Sequence, residues 1–353
     1  MDKPEIIRWL REDDSGRLEE LWRRADMVRR DNVGDQVHLR GLIELSSFCV
    51  RRCGYCGISA HNAELSRYRL TLPEVMACVE QAVKFGYGTV VMQAGEDPGL
   101  TTEFIADIIG RIKSHTPLAV TLSLGERADE LATWRKAGAD RYLLRFETSN
   151  RELYDHIHPP LPGLTSDRFA LLRRLHELGY EAGSGVMIGI PGQSHDDLAN
   201  DILKFRELEL EMIGVGPYLP HPGTPLGRVA GVSPASAGTA NPAPDQVPNT
   251  ELMTYKTIAL ARILCPGANI PSTTALATLN LAQGRELGLA RGANVVMPNL
   301  TPGKYRAMYE IYPAKACIYE TPSDCDKCLK RRIESIGRSV GVGRGDSRVG
   351  RIN

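Results

Sequence analysis

The chain places three cysteines within eight residues, Cys49, Cys53 and Cys56, in the order Cys-Val-Arg-Arg-Cys-Gly-Tyr-Cys. This CxxxCxxC run follows an apolar, strand-like stretch at residues 37–45. Three thiols so close cannot all pair as disulfides. They leave a tetrahedral zinc one ligand short, because a structural zinc takes four protein ligands and a catalytic one usually brings His or carboxylate into the set. A cubane iron–sulfur cluster normally takes four thiolates. Three thiolates therefore point to a 4Fe–4S cluster with one iron left open to a small molecule. A zinc knuckle or unrelated thiols are the alternative, and zinc knuckles rarely sit at the end of a first barrel strand.

A second set lies near the C-terminus: Cys317, then seven residues, Cys325, then two residues, Cys328. It supports a second iron–sulfur cluster, 2Fe–2S or 4Fe–4S, with zinc or free thiols as the alternative. Of the eight cysteines only Cys78 and Cys265 stand alone. Such clustering reads as metal ligation in a reducing cytosol and not as a secreted disulfide framework, so a cytoplasmic location is expected. Lys plus Arg and Asp plus Glu number 43 each, so no global field favours nucleic acid or an acidic membrane. The basic tail at 331–351 reads as a solvated end. The opening residues, Met1-Asp2-Lys3-Pro4-Glu5, lack the apolar core of a signal peptide, and no apolar run approaches the roughly eighteen residues of a membrane span.

From residue 37 onward, short β-rich runs alternate with amphipathic helical runs. The strands expected are 37–45, 89–94, 119–124, 141–147, 181–188, 212–218, 270–274 and 294–297. Helical patterns fall at 72–85, 102–114, 130–137, 167–178, 195–209, 252–264 and 283–291. Thr71-Leu72-Pro73-Glu74 supplies a cap, a first-turn proline and an acid at one helix start. Gly86, Gly138 and Gly179 stand where helices must close in a left-handed conformation. This alternation predicts an α/β fold, a closed parallel (βα)8 barrel of the TIM type. Residues 1–36 read as an N-terminal helical cap, with Ile7, Leu10, Leu18, Leu21 and Met27 buried. Residues 37–300 form the barrel, and 301–353 a C-terminal extension carrying the second cysteine set. The Pro-, Ala- and Gly-rich stretch 227–250 reads as a surface loop.

Barrel chemistry sits at the C-terminal ends of the strands. There the chain gathers the cysteine loop, Gln93 to Asp97, Ser123 with Gly125-Glu126, Arg145 with Glu147, Tyr218 with His221, and Thr273 with Thr274. Arg145 and Glu147 lie two apart on one strand and so share a face, with Arg141 at the same parity deeper in. Facing the lumen, such a pair is costly unless it holds a polar ligand, and a structural ion-pair network is the alternative. Arg168 opens a helix and could grip a carboxylate bidentately, or be a surface arginine. Thr273 and Thr274 could bind an anionic group or cap a helix. Tyr305, Tyr309 and Tyr312 recur at helical spacing and make one face, closing the barrel or packing in its core. There is no Gly-rich phosphate loop and no Ser-His-Asp arrangement.

With the aromatic Tyr55 before its last cysteine, the loop resembles the radical S-adenosylmethionine signature, in which the open iron chelates the methionine moiety. The cluster then donates one electron, and the sulfonium cleaves to a 5′-deoxyadenosyl radical. Gln93-Ala94-Gly95-Glu96 resembles the element whose backbone receives the methionine amino group, small residues there letting the backbone approach the ligand; alone, the triplet Ala94-Gly95-Glu96 is equally a turn. Taken together with Arg67-Tyr68-Arg69-Leu70-Thr71, Ser123-Leu124-Gly125-Glu126, residues 137–145, Gly189-Ile190-Pro191-Gly192-Gln193, residues 217–222 and Asn269-Ile270-Pro271-Ser272-Thr273-Thr274, it resembles the HydE family of FeFe hydrogenase maturases over about residues 37–330.

The resemblance implies a (βα)8 barrel around a large cavity. It gives Cys49, Cys53 and Cys56 to a 4Fe–4S cluster, and Tyr55, Gln93, Ala94, Gly95, Glu96, Ser123, Glu147 and Arg168 to S-adenosylmethionine. Arg145, Thr273, Thr274 and Tyr309 fall to the substrate cavity. Cys317, Cys325 and Cys328 match second-cluster cysteines that only some members keep and that are dispensable for the chemistry. The implied role is assembly of the hydrogenase diiron subcluster from an iron–cysteine complex bearing CO and cyanide. That substrate would come from the maturase HydG, the product would pass to HydF, and ferredoxin or flavodoxin would supply electrons. Two departures stand out: Phe146 where the pattern has His, and the long 227–250 loop. Competing readings are a methylornithine synthase (PylB-like), a biotin synthase-like enzyme, and a non-catalytic iron–sulfur protein for electron transfer or cluster storage.

Overall fold

The computed structural model describes residues 1–229 and 245–349, so most of the 227–250 insertion lies outside the described residues. A parallel sheet organises the rest. Its strands are β1 (Gln36–Ser46), β2 (Thr89–Ala94), β3 (Ala119–Ser123), β4 (Arg141–Leu143), β5 (Glu181–Ile188), β6 (Met212–Pro217), β7 (Val295–Val296) and β8 (Ser339–Val340). They lie in the order β6-β5-β4-β3-β2-β1-β7, with β8 beside the start of β1, and every named strand pair is parallel. The strand expected at 270–274 is reduced to isolated parallel bridges, Met212–Asn269 and Pro271–Val295. Pro271 has no N–H to give a ladder, and Thr273 already caps the helix Thr274–Leu279.

β4 is also shorter than expected. Beyond Leu143 the chain runs irregularly to Glu147, whose φ of 63° breaks the extended backbone and leaves one bridge to Val186. β8 was not expected, because two residues carry no periodic signal. Its segment, 339–349, crosses the N-terminal ends of the strands. Thr89 Oγ1 donates to the Arg344 carbonyl at 2.8 Å, Arg141 pairs with Asp346, and Ser347 N donates to Glu181 at 3.0 Å. Gly88 has no room for a side chain here, since a Cβ would lie 1.6 Å from the Gly343 carbonyl.

The helices Leu72–Phe85, Thr102–His115, Leu131–Ala137, Arg168–Glu177, His195–Glu207, Glu251–Leu264 and Gly284–Ala290 match the seven expected. Thr71 N bonds Glu74 at 3.0 Å at one start, and Gly86 and Gly138 close their helices in the left-handed region. Between sheet and helices lies an aliphatic core. The N-terminal helices Lys3–Leu10 and Ser15–Val33 pack on His195–Glu207 and Glu251–Leu264. They bury Leu10, Leu18 and Leu21 as expected, but Ile6 takes the place assigned to Ile7, and Met27 is 50% exposed.

Candidate active site

The cysteine loop leaves the end of β1 and is pinned on all sides by backbone hydrogen bonds. Val50 N donates to Glu96 O, Gly54 N to Ile157 O and Gly57 N to Ile311 O, at 2.8–2.9 Å. Cys53 is buried, Cys49 and Cys56 are half-buried, and all three thiols are free. Burial is the main cause that pushes each thiol up. Cys53 is raised further by the charge of Cys56, and Cys56, pushed to about 12, by that of Cys49. Thiolates therefore persist here only beside a positive centre. Among the described residues no three ligand-type side chains converge on a position for a single metal ion. A cubane asks for something different, three thiolates each on its own iron, and three neighbouring free thiols on a pinned loop fit that demand.

Beside Cys56 opens a cavity of about 340 Å³. Tyr55, Gln93, Ala94, Ser123, Glu147 and Arg168 reach it near the loop, and Arg145, Thr273, Thr274 and Tyr309 line it as well. Gly95 and Glu96 do not. A Cβ on Gly95 would lie 2.2 Å from the Phe48 carbonyl and 2.8 Å from Cys49 Cβ, so its small size admits the cysteine loop. Glu96 sits beneath the loop, accepting from Arg51 Nε at 2.8 Å and from Glu126 N at 2.9 Å. Burial raises its pKa against those bonds.

Arg51 also pairs with Glu126 at 3.2 Å, and Glu126 accepts from Arg168 Nε at 2.9 Å and Ser166 Oγ at 2.7 Å. The result is a buried ladder of alternating charge, Glu96–Arg51–Glu126–Arg168. Burial would raise the Glu126 carboxyl, but the Arg168 charge and its hydrogen bonds outweigh it and hold the pKa low. Arg168 is thus no surface arginine. It also donates to the Arg145 carbonyl and contacts His158 Nε2 at 2.5 Å, which fixes its guanidinium at the cavity edge.

Glu147 and Arg145 both line the cavity, 3.0 Å apart, as expected, but not through strand parity, since β4 ends at Leu143 and Leu144 lines the cavity too. The contact is within ion-pair reach but is not aligned as a hydrogen bond. Glu147 Oε2 and Arg145 Nε are buried without hydrogen-bond partners, and Tyr55 OH reaches Glu147 Oε1 only at 3.4 Å. Buried polar atoms left open in this way are costly unless a ligand satisfies them. They fit the polar methionine or ribose groups of S-adenosylmethionine. Phe146 points the other way. It packs on Phe169 and Phe205, with ring centroids 5.2 and 5.9 Å away, and does not line the cavity, so its departure from the family pattern leaves the lumen untouched. Arg141, at the same parity as Arg145, belongs to the floor, with Glu181 at 2.5 Å.

Thr273 caps the helix Thr274–Leu279 and also lines the cavity. The three tyrosines do not make a helical face. The local helix covers only Gly303–Arg306; Tyr305 stacks on Tyr68 at 4.5 Å, while Tyr309 and Tyr312 reach the cavity from the irregular chain that follows. His221 packs against Gly57, outside the lumen, and its pKa is lowered by burial. A buried pair, Lys315 and Glu44, adds charge to the cavity wall. Sequence reasoning missed Arg51, His158, Lys315 and Glu44 as site residues. Only Arg51, inside the cysteine motif, carried a local signal.

The second trio is built differently. Cys325 and Cys328 stand one turn apart on the helix Pro322–Ser335, and Cys317 lies in a turn at φ 63°. Cys325 is buried, Cys317 half-buried and Cys328 exposed. A hydrogen bond from Cys325 lowers the Cys317 pKa, and Arg285 approaches its sulfur at 3.7 Å.

Residues 43–205 match the Radical SAM superfamily, and with the cysteine loop beside a cavity that carries Glu147, Arg145 and Arg168 this defines the class: a radical S-adenosylmethionine enzyme. The [FeFe] hydrogenase maturase subunit HydE of Thermotoga maritima is 44% identical over 329 residues, 93% of this chain and 88% of that protein. The chain belongs to the HydE family. A 3-methylornithine synthase of Methanosarcina acetivorans is more distant, 26% identical over 79% of this chain and 74% of its own. The crystal structure of methylornithine synthase (PylB), 24% identical, superposes with a TM-score of 0.77 over 96% of this chain and 94% of that one, which shows a shared fold. The family implies a 4Fe–4S cluster and S-adenosylmethionine. No helix among the described residues is long and apolar enough to cross a membrane.

Proposed function

We propose that this chain is a radical S-adenosylmethionine maturase acting in assembly of the diiron subcluster of FeFe hydrogenase. The observation that carries the reading is a pinned CxxxCxxC loop opening on a cavity lined by the Glu147–Arg145 ion pair, whose Oε2 and Nε atoms lack hydrogen-bond partners. The near full-length likeness to HydE supports it over the methylornithine synthase alternative. When bound, the cluster and S-adenosylmethionine would supply one-electron cleavage of the sulfonium and a 5′-deoxyadenosyl radical.

The chain's own residues hold and orient. Cys49, Cys53 and Cys56 ligate the 4Fe–4S cluster. Tyr55, Gln93, Ala94, Ser123, Glu147 and Arg168 surround S-adenosylmethionine, with Arg168 offering its free N–H groups to the carboxylate and Glu147 accepting from hydroxyl or ammonium. Gly95 and Glu96 act from behind, by seating the cysteine loop. Arg145, Thr273, Thr274 and Tyr309 face the substrate, an iron–cysteine complex bearing CO and cyanide. Cys317, Cys325 and Cys328 hold a second cluster, 2Fe–2S or 4Fe–4S, outside the chemistry. The architecture in this reading is a full (βα)8 barrel at 37–300, with residues 1–36 as a helical cap and 301–353 as an extension. HydG supplies the substrate, HydF receives the product, ferredoxin or flavodoxin provides electrons, and the setting is the cytoplasm.

The test is anaerobic reconstitution followed by two assays, 5′-deoxyadenosine release under dithionite and hydrogenase maturation with HydG and HydF. Both activities are expected. Cleavage without maturation, with methylornithine formed instead, would transfer the chain to the alternative; no cleavage by a fully iron-loaded protein would leave a non-catalytic iron–sulfur protein.

A further inference from the structure

Glu147 holds an uncommon backbone. At φ 63° it sits in the left-handed region without being a glycine, and such a residue persists only where its surroundings over-determine it. The strand side is accounted for: Glu147 N donates to Gly185 O, and Glu147 O accepts from Met187 N, both at 3.1 Å. The chain leaving Glu147 is held locally by Thr148 N, which donates to Phe146 O across Glu147 at 2.8 Å, and then by an aspartate on a different element. Asp201, on the helix His195–Glu207, is fully buried and has no cation among its hydrogen-bond partners. Its Oδ1 accepts from Ser149 N at 2.5 Å and Ser149 Oγ at 2.6 Å, with Thr148 Oγ1 at 3.5 Å. One turn earlier on the same helix, Asp197 accepts from Asn150 Nδ2 at 3.0 Å. Thr148, Ser149 and Asn150, the three residues after Glu147, are thus all held from one helix.

The other oxygen of Asp201 reaches the next strand end. Gln193, also buried, donates to Asp201 Oδ2 at 3.3 Å and to the Met187 carbonyl at 3.2 Å, while its own oxygen accepts from Gly189 N at 2.7 Å. Met187 lines the cavity beside Glu147. A carboxylate buried away from cations is an expensive way to pin a helix to a sheet, which apolar packing does without desolvating a charge. It does supply acceptors on both oxygens, one for the end of β4 and one for the end of β5.

We infer that Asp201, with Gln193, is a positioning residue for cofactor binding: it clamps Thr148 and Ser149 so that Glu147 stays left-handed and holds its carboxylate at the cavity wall. This rests on the reading that Glu147 meets S-adenosylmethionine. Asp201 itself lines no part of the cavity and touches no ligand.

The test is a double-mutant cycle on the anaerobically reconstituted, iron-loaded enzyme, read as the equilibrium dissociation constant of S-adenosylmethionine by dialysis, with no turnover. Asp201→Asn is expected to raise Kd about five- to tenfold, and Ser149→Ala, the milder variant should Asp201→Asn fold poorly, about two- to threefold. Glu147→Gln combined with Asp201→Asn is expected to match Glu147→Gln alone to within about twofold, because the clamp then has no carboxylate left to hold. A merely structural Asp201 would lower the melting temperature and leave this non-additivity absent. Multiplying effects in the double variant, or an unchanged Kd in both Asp201→Asn and Ser149→Ala, overturn the inference while leaving Glu147 in its role. An unchanged Kd in Glu147→Gln overturns the role of Glu147 and the inference with it.

Discussion

Cys49, Cys53 and Cys56 lie on one loop, tied by backbone hydrogen bonds to residues 96, 157 and 311, with a cavity beside Cys56. Cys317, Cys325 and Cys328 come from a turn and a helix, range from buried to exposed, and have Arg285 beside Cys317. Both trios offer three free thiols. What separates them is the space next door. The first faces a volume with buried polar atoms awaiting partners; none of the second trio lines that volume. A set of ligands becomes a reactive site when the fold adds room and unsatisfied donors and acceptors for a second molecule.

That contrast breaks most visibly under substitution of the first trio. Changing Cys49, Cys53 or Cys56 singly to Ala is expected to reduce 5′-deoxyadenosine formation to background; retained formation in any one of them would end the distinction. Next come the cavity residues nearest the loop. Glu147→Gln and Arg168→Gln each remove a charge-assisted hydrogen bond worth roughly 1.5–3 kcal/mol, so S-adenosylmethionine affinity should fall about ten- to a hundredfold. In contrast, the Thr273→Val, Thr274→Val pair should leave substrate-free cleavage nearly intact and depress turnover of the true substrate. Equal loss of both would dissolve that division of labour.

For the second trio the expected effect on chemistry is small. The triple variant Cys317→Ser, Cys325→Ser, Cys328→Ser should bind less iron and keep its cleavage rate. If the folded variant instead lost hydrogenase maturation, the two trios would be functionally joined.

The smallest effect concerns the floor, far from both trios. His38 Nδ1 is buried without a partner against Gly341 and Gly345. Burial first, then the Arg40 and Arg141 charges, lower its pKa to about 4. Free histidine titrates near 6.5, so the unfolded chain binds the extra proton first. The stability that neutral His38 contributes is full above about pH 6.5 and is lost as pH falls towards 4. Urea midpoints between pH 7.5 and 4.5 should fall less steeply for His38→Gln than for the unchanged protein; parallel curves would remove His38 from the account.

Much of this was legible in local pattern. The seven helices announced themselves by amphipathic spacing and by residues such as Thr71 and Gly86, and the cysteine loop by its spacing alone. Arg145 and Glu147 do share the cavity wall, but the strand whose parity suggested it ends at Leu143. Reading failed where the deciding partner lies far along the chain. Tyr305 looked helical with Tyr309 but stacks on Tyr68, more than two hundred residues earlier. Gly95 has a packing role that its motif did not show, close approach of Phe48 and Cys49. The ladder from Glu96 through Arg51 and Glu126 to Arg168 joins four segments, and no periodicity foretells an ion pair across such distances. The strand at 270–274 failed for a local reason: a proline and a capping threonine outweighed the β-rich composition around them.

The central claim is that Cys49, Cys53 and Cys56 hold a 4Fe–4S cluster that S-adenosylmethionine meets directly. Electron paramagnetic resonance of the reduced, reconstituted Cys317→Ser, Cys325→Ser, Cys328→Ser protein tests it without interference from a second cluster. The account predicts a single 4Fe–4S signal whose g values shift when S-adenosylmethionine is added. A folded protein lacking that signal, or a signal unmoved by saturating S-adenosylmethionine, would contradict it.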